Sequence, residues 1–220
     1  MNTQPMRGDL IVLAMPVVLW VVMGIVFNIS TRRFGKEAGY LLGFAFYWLF
    51  FGLVYPALWM DGNNFVNLLE DRTPLFSLPN WSAALLWVIV TAVTLVMYGK
   101  SFIRAPLTLV LLAIPLATIN GFCEEILWRG MFVQAFPGNP WLGILYPAVG
   151  FALWHLIPQS VFPAPNIPGF ILSTFFLGLA YGFIAYSTGS AFWAAVSHSL
   201  GGILALSGML APSVLRLFSK

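Results

Sequence analysis

The sequence predicts an all-α bundle of membrane-crossing helices, and three observations carry that prediction. Of its 220 residues 60% are hydrophobic and only 8% charged, against about 25% charged in an average soluble domain. Mean hydropathy is +0.90. The apolar residues gather into seven runs, approximately 10–29, 39–59, 81–99, 105–136, 141–157, 168–186 and 191–206. Each run is near or above the roughly 17 residues at which a helix begins to span a bilayer. Lipid offers no partner to backbone N–H and C=O groups, so such runs must be helical. The expectation is a single integral membrane domain over 1–220 with about seven spans, the limits being six and eight.

Taken in order, the first run lacks a small-residue cleavage site and is followed at once by Arg32, Arg33 and Lys36, so it reads as a retained helix. Those cations, with Lys100 and Arg104 after the third run, place the first and third loops in the cytoplasm. The second loop carries Asp61, Glu70 and Asp71 against Arg72. The N-terminus is then outside, and the tail with Arg216 and Lys220 inside. Phe65, Val66, Leu68 and Leu69 form an apolar strip that suits the headgroup layer, although a surface loop is the simpler reading. The fourth run is too long for one straight crossing at about 1.5 Å per residue, which predicts a bend at Pro115, a protrusion from the bilayer or an eighth span. Four prolines in PQSVFPAPNIP, 158–168, argue against regular helix and for a connector, or a flexible mouth beside His155. Gly178 and Gly182 form a GxxxG pair, a signal of close helix packing.

The net charge of +3 comes from loop residues and makes no basic stripe, so nucleic acid is not an expected partner. A single cysteine, Cys123, excludes an internal disulfide and a cysteine-based zinc knuckle, and reads as a small buried filler. Trp128, Trp154 and Trp193 read as packing or interface aromatics.

NGFCEEILWRG, 120–130, sets two carboxylates and a guanidinium inside an apolar run. Unpaired at the bilayer centre, Glu124, Glu125 and Arg129 would together cost about 8 to 10 kcal/mol. Glu125 and Arg129 are four apart with the acid first, a favourable helical pair that supports the site structurally. Glu124 sits about 100° around the helix and is the carboxylate without an evident partner, hence the candidate general base. The only histidines, His155 and His198, both lie in apolar runs. Measured back from the same end of the bundle, Glu124 and His155 lie roughly 18 and 21 Å deep, whereas His198 lies only roughly 10 Å deep and needs a tilt or a longer loop to join them.

EEILWR, FALWH and the later His198 resemble the EExxxR, FxxxH and histidine motifs of the CAAX protease and bacteriocin-processing family of glutamate-type intramembrane endopeptidases. The resemblance spans about 105–206 and leaves 1–104 without a motif. It implies that Glu124 activates water, that His155 assists and that His198 stabilises the oxyanion, on a membrane-associated protein or peptide substrate and with no cofactor. Members commonly carry Asn or Asp four residues after the later histidine, and this chain has Gly202 there. The expected function is therefore an intramembrane peptidase in a multi-pass membrane protein, of the plasma membrane if the source is bacterial. The alternatives are a zinc site at Glu124, His155 and His198, a proton-linked carrier, and a non-catalytic scaffold or immunity protein.

Overall fold

A computed structural model describes residues 7–60 and 65–209. Asp61, Arg216 and Lys220, used above to assign sidedness, lie outside the described residues. Helix α1 runs over Arg7–Phe34, α2 over Lys36–Trp59, α4 over Leu107–Ala135, α5 over Trp141–Val161 and α6 over Ile167–Thr188. Trp81–Ile103 forms α3, and Phe192–Met209 forms α7. All seven predicted runs are helices, six of them long and apolar enough to cross a membrane and α7 shorter. Their outer faces carry bare apolar side chains such as Val96, 84% exposed, as a lipid solvent permits.

Chain turns alternate between two ends. Lys36 shares a cavity with Ser160 and Val161, and Lys100 and Arg104 share one with Ser207 and Gly208, so the cations of the first and third loops lie beside the C-terminal ends of α5 and α7. At the opposite end the second loop folds back over α4, α6 and α7. Arg72 donates to Gln134, and the Arg72 and Thr73 N–H groups donate to the Thr188 carbonyl. Gly189 turns the chain out of α6 at φ 70°, and the Arg72 side chain lies against it.

Three expectations change here. The helical assignment continues through Pro115 without an eighth span; the irregularity of α4 is instead a π-helical stretch, Ile126–Gly130, directly after the paired glutamates. Such insertions widen a turn and re-aim the side chains beyond it. Pro158 lies inside the helical turn Leu156–Val161, because a proline near the start of a new helical segment need not interrupt its ladder. The apolar strip of the second loop is divided: Val66 is 72% exposed whereas Leu68 is 1% exposed, packed over Gly130 and accepting from the Ala191 N–H. Gly178 and Gly182 behave as expected, abutting Ala148 and Ile144 of α5.

Candidate active site

Helix α4 carries two i,i+4 pairs on adjacent faces, Asn120 with Glu124 and Glu125 with Arg129. It packs most extensively against α7. Small residues make that proximity possible: a Cβ on Gly121 would come within 2.8 Å of the Ser199 nitrogen, and one on Gly202 within 2.9 Å of the Ala117 Cβ. The short distance between the two helices carries His198 to the carboxylates.

Glu124, Glu125 and Arg129 are each 1% exposed or less. Arg129 Nη1 donates to Glu125 Oε1 at 3.0 Å, and its guanidinium lies 4.3 Å from the Phe151 ring centroid. His198 bridges the two acids. Its Nδ1 is 2.7 Å from Glu125 Oε1 and its Nε2 is 3.5 Å from Glu124 Oε2, while the ring stacks on Tyr181. Doubly protonated, the imidazole donates to both carboxylates, and two anions with two cations then leave the cluster neutral, the state a low-dielectric interior favours.

Glu124 is not the partnerless acid expected from helical phase alone. Asn120 Nδ2 donates to its Oε2 at 3.2 Å and Trp154 Nε1 to its Oε1 at 3.3 Å. The Glu124 side chain faces donors supplied by other turns and other helices. Nor are the tryptophans only packing residues. Trp48 Nε1 donates to Asn120 Oδ1 at 2.8 Å, Trp128 Nε1 to the Tyr47 hydroxyl, and Trp193 Nε1 to Asp71. Asn120 had a sequence signal, the same four-residue spacing that paired Glu125 with Arg129, whereas Trp48 and Trp154 had none. Cys123 is buried against Gly52, in keeping with a filler.

His155 stands at the junction of two helical stretches in α5, after Trp154. Its Nδ1 donates to the Phe151 carbonyl at 2.7 Å, which leaves Nε2 with its lone pair. The Phe151 ring centroid lies 4.6 Å from that of His155 and 6.2 Å from that of His198, and no hydrogen bond joins His155 to Glu124 or His198 among the described residues. The structure thus brings Glu124, Glu125, Arg129 and His198 into direct contact and sets His155 beside them. Among the described residues no group of three or more His, Cys, Asp or Glu side chains is placed to hold a metal ion. Ser197 is engaged with Thr91 and Tyr181, and Ser199 Oγ is buried without a partner among the described residues.

Residues 106–204 match the family model described as type II CAAX prenyl endopeptidase Rce1-like. That segment contains Asn120, Glu124, Glu125, Arg129, Trp154, His155 and His198. No curated protein and no solved structure matches the chain.

Proposed function

Because residues 106–204 match the Rce1-like CAAX protease family model, we propose that the chain is a member of that family and a metal-free intramembrane endopeptidase in which Glu124 activates the attacking water. The single observation that carries this reading is the buried Glu124 carboxylate, fixed by Asn120 and Trp154 and facing His198 Nε2 at 3.5 Å. A base held in that way needs no reorganisation when the proton moves.

The proposed steps follow from the donors and acceptors. Glu124 takes a proton from a water that the unprotonated Nε2 of His155 also orients. The water oxygen bonds to the scissile carbonyl carbon, and the carbonyl electron pair moves onto oxygen, towards the His198 N–H. Collapse expels the peptide nitrogen, which leaves as an amine carrying the proton from Glu124. Glu125 and Arg129 keep the imidazole of His198 oriented and touch no reacting atom. The substrate class is a membrane-associated protein or peptide.

The test uses purified full-length protein in lipid nanodiscs and an internally quenched farnesylated peptide ending in a CAAX sequence. Glu124→Gln should remain folded and lose at least about 10²-fold in kcat, the lower end of what a positioned base supplies, while a zinc chelator leaves the wild type unchanged. Cleavage at the wild-type rate by folded Glu124→Gln would refute the mechanism.

A further inference from the structure

The oxyanion site has a gap in sequence, for Gly202 stands where a polar donor is expected, and the geometry around α4 supplies a replacement. Asn120 and Gly202 line one cavity of about 260 Å³, together with Trp48, Ala117, Tyr40 and Leu206. The Asn120 amide is oriented by its surroundings: Trp48 donates to Oδ1, so the nitrogen faces Glu124. One of the two Nδ2 hydrogens is used on Glu124 Oε2, and the other is free to reach a bound carbonyl. A side chain at position 202 could not take this place with the helices as they are, since its Cβ would press on Ala117 at 2.9 Å. With glycine there, the space stays open in front of Asn120.

Two N–H donors also converge on a single atom. Asn120 Nδ2 and His198 Nε2 stand 3.2 and 3.5 Å from the same oxygen, Glu124 Oε2. While Glu124 is an anion it holds both. Once it accepts the proton of water it becomes a poorer acceptor, at the moment when negative charge appears on the substrate oxygen. The donors then follow the charge from one oxygen to the other. We propose that Asn120 is a catalytic residue which, with His198, stabilises the oxyanion and so supplies from α4 the donor that α7 lacks at Gly202. This assignment rests on the peptidase reading above.

Two measurements on the same nanodisc preparation test it: kcat and KM on the quenched farnesylated peptide, and inhibition by a phosphinate isostere of that peptide, whose tetrahedral anion imitates the oxyanion. Asn120→Ala should lower kcat by about 10² to 10³, change KM by less than threefold and weaken phosphinate binding by about the same factor as kcat. Asn120→Leu, close to the amide in size and uncharged beside Glu124, serves as the second variant, with the same loss of phosphinate affinity. A fall in kcat with unchanged phosphinate affinity would mean that Asn120 only positions Glu124. Wild-type kcat in folded Asn120→Ala, with Glu124→Gln silent, would overturn the donor assignment and leave the peptidase reading standing. An active Glu124→Gln would instead remove the reading itself.

Discussion

Ala117 and Gly202 face each other where α4 packs on α7, as Gly121 and Ser199 do about one turn along, and both approaches bear on how near His198 stands to Glu124. Adding one methyl at position 202 brings carbon to carbon at 2.9 Å, well inside the usual contact of about 3.5 to 4.0 Å. Overpacking of this kind costs about 1 to 3 kcal/mol, and a catalytic group displaced by about 1 Å can lose 10²-fold in rate. Gly202→Ala should therefore lower both the melting temperature and peptide turnover. Moving the methyl from one helix to the other, in Ala117→Gly with Gly202→Ala, should return most of each. Thermal unfolding and the quenched-peptide assay check this, and a single variant as active and stable as wild type would show that the approach of the helices is not limiting. The Glu125–Arg129 pair was readable from spacing alone because a four-residue step is local geometry. Asn120 and Glu124 share that spacing, so the clamp on the Glu124 carboxylate was half legible. Its other half, Trp154, was not, because an indole that packs and one that donates look alike in sequence.

Among the elements, the second loop decides most. His198 is only six residues into α7, which from counting alone sets it nearer the membrane edge than Glu124. The close packing of α7 on α4 carries it to the site, and the start of α7 is itself covered by the loop, with Leu68 accepting from Ala191 and Asp71 from Trp193. Burial raises the Asp71 carboxyl above its ordinary value, against the smaller opposing pull of hydrogen bonds from Trp193 and Ser190. The native carboxyl then holds its proton to higher pH than the unfolded one, so stability falls as pH rises from the ordinary carboxylate range through the raised native value. Asp71→Asn keeps an acceptor and removes the titration, and its melting temperature should lack that decline. A decline identical to wild type over the same window would contradict the role given to this carboxyl. The π-helical stretch in α4 was equally hidden, since ILWRG contains nothing that marks a widened turn.

For the whole molecule, the charge asymmetry of the loops predicts one orientation: Lys36 and Lys100 in the cytoplasm and Glu70 outside. The native Cys123 is buried, so introduced cysteines report without background. In intact cells a membrane-impermeant maleimide should label Glu70→Cys and spare Lys36→Cys and Lys100→Cys; the reverse pattern would invert the protein in its membrane. Composition and run length fixed the bundle and its number of helices because a bilayer leaves a polypeptide few other ways to satisfy its backbone. The doublet, the two histidines and their spacing likewise marked where charge must be kept from lipid. Only the folded chain decided which groups meet. Whether His198 joins Glu124, and whether Trp154 holds that acid, depends on helix rotation and approach. Those are settled by small residues and a folded-back loop far away in sequence, and no local pattern encodes them.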